Sequence, residues 1–160
     1  HYPFTAGSVA PATSGISITF SSIPSWVKRV TMQLQGVTPS GSSSNFVLRI
    51  GSGSVISTGY TASCTGGATT QASASSSVGF PISSQTYSST GPITGQFVFT
   101  LLNSATNLWV CSGTISNTSS NAMSVTNGYL ALSGALDRVQ IATANATDTF
   151  SAGNINILYE

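Results

Sequence analysis

Few side chains in this sequence can move protons, bind metals or attack a substrate. The carboxylates are Asp137, Asp148 and Glu160, the single histidine is His1, and the thiols are Cys64 and Cys111. Glycoside hydrolysis needs two carboxylates flanking one bond. Asp137 and Asp148 could form that pair, since they flank the segment holding Val139 and Ile141. The turn-like setting Asn145–Asp148 and the neighbour Arg138 favour local capping and pairing for them instead. A Ser-His-Asp triad needs a histidine to take the serine proton. Serine and threonine fill 51 of 160 positions, yet the only imidazole is at residue 1, which reads as a cut site or tag scar. A cysteine nucleophile meets the same gap. Two thiols and His1 do not make a metal site. Gly51-Ser-Gly53 lacks the following helix that a nucleotide-binding loop needs. The expectation is a protein without catalytic residues, metal or cofactor.

Binding chemistry remains. Aromatic faces stack on sugar rings, and amides and hydroxyls bond to sugar hydroxyls. The candidates are Tyr60, Tyr87 and Trp109, with Gln71, Gln85 and Asn107 near them in sequence. Burial as core aromatics is the competing and favoured reading for Tyr60 and Trp109. Tyr87 lies in a polar stretch where packing makes no such demand.

The elements that must hold these residues are strands. Apolar residues do not recur at helical spacing, whereas period-two alternation recurs. Val30, Met32 and Leu34 alternate with Arg29, Thr31, Gln33 and Gln35. Similar patterns occur at Phe46–Ile50, Phe97–Leu102, Leu108–Ile115, Arg138–Ala142 and Asn154–Tyr159, with weaker ones at Ile16–Phe20, Ser54–Tyr60 and Tyr129–Leu132. Phe97–Leu102 reads as buried on both faces. Eight or nine short strands with Gly, Asn, Ser and Pro stops predict an all-β, antiparallel, jelly-roll-like sandwich. Asn127–Gly128 reads as a turn. Thr61–Val78 and Pro81–Pro92 read as long loops, which would place Cys64 in a loop, Cys111 in a strand, and leave the two thiols separate. Residues 1–15 read as an extended lead-in and 16–160 as one sandwich domain.

Charge narrows the partners. Only 4% of residues are charged and the net charge is +1. Lys28, Arg29, Arg49 and Arg138 cannot supply the phosphate contacts of a nucleic-acid surface or the basic cluster of an anionic membrane surface. No apolar run approaches the ~20 residues of a spanning helix. A hydroxyl- and amide-rich surface suits neutral polar ligands, of which carbohydrate is the obvious class. Asn117-Thr-Ser and Asn145-Ala-Thr match the glycosylation sequon, a match expected by chance in so Ser/Thr-rich a chain.

Two segments resemble bacteriophage tail fibre and tailspike proteins. One is Ile23-Pro-Ser-Trp-Val-Lys-Arg-Val30 followed by Met32-Gln-Leu-Gln-Gly-Val37. The other is Leu136-Asp-Arg-Val139, then Thr147-Asp-Thr-Phe150 and Ser151-Ala-Gly-Asn-Ile-Asn-Ile-Leu-Tyr-Glu160. Phe46–Gly51 and Thr58-Gly-Tyr60 fall between them where that pattern has a strand and a Gly-Tyr pair. The resemblance spans roughly residues 20–160 and carries no catalytic residues over. It implies a C-terminal domain of a virion tail protein that forms a homotrimer, touches bacterial surface polysaccharide, and is made in the host cytoplasm. Any depolymerase would belong to an upstream domain. The alternative is a structural subunit such as a capsid decoration, head fibre or pilin-like protein.

Overall fold

Alternation along the chain turns one set of side chains inward and the other to solvent, and the strands follow it. The structure, a computed structural model, describes residues 3–41, 45–83 and 92–160. Its strands are β1 (Thr5–Ala6), β2 (Ala10–Pro11), β3 (Ser17–Phe20), β4 (Arg29–Pro39), β5 (Phe46–Ser52), β6 (Ser54–Val55), β7 (Thr61–Gly67), β8 (Gln71–Ser76), β9 (Phe80–Pro81), β10 (Ile93–Asn103), β11 (Leu108–Asn117), β12 (Ala122–Ala131), β13 (Arg138–Thr143) and β14 (Phe150–Tyr159). A nine-stranded sheet runs in the order β1-β14-β4-β10-β11-β12-β7-β8, with β2 also on β14. A five-stranded sheet runs β3-β13-β5-β6, with β9 also on β5. The pairings are antiparallel. The expected all-β sandwich is therefore what the chain forms.

The core lies between the two sheets. Val30, Met32 and Leu34 of β4 and Phe97 and Phe99 of β10 are buried with Phe46, Leu48 and Ile50 of β5 and Val139 and Ile141 of β13. Phe46 and Phe150 stack across the layers, with ring centroids 5.1 Å apart and planes 5° from parallel. Each such ring removes a large apolar area from water and adds to the adhesion of the sheets.

Several local expectations are corrected. Thr61–Val78 is mostly a β-hairpin, β7–β8, rather than a loop, and Cys64 is buried within β7. Small residues hide the pattern, yet Ala62, Cys64 and Gly66 face inward while Thr61, Ser63 and Thr65 face outward. Asn127–Gly128 lies inside β12, where pairing to β11 and β7 on both sides overrides its turn preference. The strand expected at Ser54–Tyr60 is only Ser54–Val55. β10 is buried on one face: Phe97 and Phe99 are inside, but Thr100 and Leu102 are exposed. The strands number fourteen among the described residues, because one- and two-rung pairings such as β1, β2, β6 and β9 leave no alternation to read. The lead-in contributes β1 and β2 to the β14 edge, and its Ala12 is buried.

Asparagine closes the turns. Asn117 Oδ1 accepts from the backbone N–H groups of Ser119 and Ser120, at 3.1 and 3.3 Å. Asn145 Oδ1 does the same for Thr147 and Asp148, at 3.0 and 2.9 Å. Capping there belongs to Asn145, with Asp148 as the donor, which reverses the role expected for Asp148. Both sequon asparagines thus serve as turn-forming side chains.

Candidate functional site

The outer face of the nine-stranded sheet is set by register. One row carries Thr100, Val110, Tyr129 and Thr61 across β10, β11, β12 and β7. The next carries Val98, Ser112, Asn127, Ser63 and Ser75. A third carries Gln96, Thr114, Val125, Thr65 and Ser73.

β12 is inverted relative to an ordinary half-buried strand. Its inward residues Ala122, Ser124 and Thr126 are small and buried, with Leu130, near its end, as the one large inward side chain. Its outward residues are larger: Met123 is 62% exposed, Val125 46% and Tyr129 49%. The reason is steric. Phe97, Trp109, Phe80 and Tyr60 fill the interior around this strand, and an added Cβ at Gly113 would stand 2.5 Å from Phe97 Cδ1. Thr126 meets its own hydrogen-bonding need by donating to the Pro81 carbonyl at 2.6 Å.

Two shallow hollows follow from this relief. One, of about 540 Å³, is lined by Tyr129, Val110, Thr61, Ser63, Ser75 and Asn127. The other, of about 300 Å³, is lined by Gln96, Val98, Ser112, Thr114, Val125 and Asn127. Asn127 borders both. Their walls present an aromatic ring, valine methyls, hydroxyls and amides, and no carboxylate, lysine or arginine.

Charged side chains line neither of these two hollows, and five of them are engaged elsewhere. Arg29 pairs with Glu160. Arg49 Nε donates to the Val78 carbonyl at 2.8 Å. Arg138 Nε donates to Asp137 Oδ1 at 2.7 Å, and that contact holds the Asp137 carboxyl below the usual carboxylate range. Asp137 Oδ2 also accepts from Gly53 N at 3.0 Å, fastening the β5–β6 turn. Asp137 and Asp148 stand beyond opposite ends of β13, so about 20 Å of strand separates them. A glycosidase pair lies within about 10 Å, so these two carboxylates are not brought together.

No family model, curated protein or solved structure matches this chain.

The sequence-derived sugar candidates fall into three groups. Tyr60 and Trp109 are core residues, 4% and 2% exposed, and neither can reach a ligand on the surface. The Tyr60 hydroxyl is committed to backbone groups of Ile50 and Ile56, and burial pushes its pKa up to about 12. Gln71 is exposed at the start of β8, and Asn107 takes a left-handed conformation, φ 48°, in the β10–β11 turn, so these two are not neighbours in one site. Tyr87 and Gln85 lie outside the described residues. Tyr129 and Asn127 were missed. The signal for them was the run Met123, Val125, Asn127, Tyr129 set against Ala122, Ser124, Thr126, Gly128, an alternation whose large members all share one parity.

The thiols are free and buried. Cys64 on β7 and Cys111 on β11 are separated by β12, a lateral distance of nearly ~10 Å, beyond the ~7 Å limit for a disulfide. This bears out the reading of two separate thiols.

Proposed function

We propose that this chain is the C-terminal, carbohydrate-contacting and trimer-forming domain of a phage tail fibre or tailspike, acting without catalysis on bacterial surface polysaccharide. The resemblance of Ile23–Val37 and Leu136–Glu160 to such proteins motivates the setting. The observation that carries the binding role is the inversion of β12. A strand that turns Tyr129, Val125 and Met123 to water, over hollows whose largely apolar walls also carry hydroxyls and amides, offers a surface for an uncharged ligand. Tyr129 supplies an aromatic face with a polar tip, the combination suited to a ligand that is apolar on one side and hydroxylated on the other.

Subunit contact has a different place available. Phe4 and Val9 are 60% and 62% exposed, on the lead-in beside β14, at the opposite edge of the sheet from Tyr129. Three chains meeting there would form a closed ring and present three weak sugar sites together, raising avidity.

A glycan array with the purified chain, paired with light scattering, tests this. Specific hits that fall with Tyr129→Ala, and a trimer that weakens with Phe4→Ser and Val9→Ser, are expected. A trimer with no glycan hits would favour the structural-subunit alternative, and a monomer at high concentration would remove the assembly role.

A further inference from the structure

We infer that the two hollows are subsites for one linear, uncharged oligosaccharide that crosses β12 at Asn127. This rests on the carbohydrate-binding reading above and specifies its ligand. The hollows lie diagonally. The Tyr129 hollow runs from Val110 on β11 across β12 to β7 and β8, and the Val125 hollow from β12 to β11 and β10, with Asn127 the wall they share. From Ser75 on β8 to Gln96 on β10 is four strand intervals, about 19 Å. That span exceeds a single sugar ring and fits a short extended chain.

The walls select against charge. The side-chain amides of Asn127 and Gln96 make no hydrogen bond to protein among the described residues, and each offers both donors and an acceptor to ligand hydroxyls. A carboxylate or sulfate in either hollow would lose water with no cation to receive it, and a partly buried, unpaired charge is costly. Arg29, the cation on this face, is occupied by Glu160 and borders neither hollow.

The test is calorimetry with linear bacterial oligosaccharides, neutral and uronic-acid-containing, matched in length from disaccharide to hexasaccharide. Affinity is expected to rise with length until both hollows are spanned, and acidic members are expected to bind at least about tenfold more weakly. Tyr129→Ala and Thr114→Ala, one in each hollow, should each weaken long ligands, while Thr114→Ala should leave disaccharide binding in the Tyr129 hollow unchanged. Thr114→Lys should restore acidic ligands. Unfolding midpoints of these surface variants report that the fold is retained. Equal affinity for short and long chains, indifference to Thr114→Ala, or preference for acidic chains would overturn this inference and leave carbohydrate binding standing. Absence of binding to every oligosaccharide would sink both.

Discussion

The Tyr60 hydroxyl accepts a hydrogen bond from the Ile50 backbone N–H at 2.9 Å, joining the segment that enters β7 in one sheet to β5 in the other. The same hydroxyl donates to the Ile56 carbonyl at 2.7 Å, and the ring meets Phe80 edge-on at 4.9 Å between centroids. One side chain therefore fixes the stagger of two layers, satisfies two main-chain groups and closes the end of the core.

Tyr60→Phe keeps the ring and removes that hydroxyl. The buried Ile50 N–H is left without its acceptor, a loss of about 1–3 kcal/mol. Urea denaturation should show a lower midpoint with an unchanged slope. A midpoint equal to the parent's would mean that water replaces the bond without penalty.

Alkaline pH should destabilise the fold through the same residue. Burial raises the folded-state pKa of Tyr60 to about 12 from an ordinary value of 10.0, because the phenolate would lose its hydration. The unfolded chain therefore releases this proton first as pH rises. The contribution of Tyr60 is intact below about pH 10 and is lost between pH 10 and 12, a change of up to about 2–3 kcal/mol. Tyr60→Phe should flatten this limb in a series of unfolding curves at rising pH.

Gly153→Ala should cost about 2–4 kcal/mol. Gly153 has φ 104°, and an added Cβ would stand 2.6 Å from the carbonyl carbon and oxygen of Gly36, itself at φ 62°. The register between β14 and β4 shifts at this point, so the two glycines let one backbone ride over the other. Thermal unfolding of Gly153→Ala beside Gly15→Ala, where an added Cβ meets only Ser17 O at 3.7 Å, separates crowding from the shared left-handed strain.

Both thiols should be silent in the native state. Cys111 is fully buried, and burial pushes both thiols above the ordinary cysteine pKa. Thiol-specific reagents should label neither residue quickly until denaturant is added, when both react. Reducing agent should leave the unfolding temperature unchanged, since no bond joins them.

Phe150→Ala should lose about 3–5 kcal/mol, because the partner ring of Phe46 keeps its place and a cavity opens between the sheets. Phe150→Leu should recover most of that stability in the same chemical denaturation assay, since its side chain refills the space with apolar atoms.

Strong alternation made the long strands legible: Val30–Leu34, Phe46–Ile50 and Arg138–Ala142 form the strands their patterns imply. β7 and β8 were not legible, because Ser, Ala and Gly differ too little in hydropathy to declare a face, and their pairing is fixed by β12 beside them. The candidate site was read less well. Aromatic type alone pointed to Tyr60 and Trp109, whose surroundings bury them, and passed over Tyr129, whose neighbours do not.

The all-β class follows from the order of residue types along the chain. Period-two patterning with no helical run admits only sheets, and the scarcity of histidine and carboxylate leaves little proton chemistry to place. Which way β12 faces, and which residues share a hollow, depend on packing between distant segments. Alternation fixes that neighbours oppose each other, but it is the rings of Phe97, Trp109, Phe80 and Tyr60, arriving from four separate segments, that fill the interior and leave Tyr129 outside.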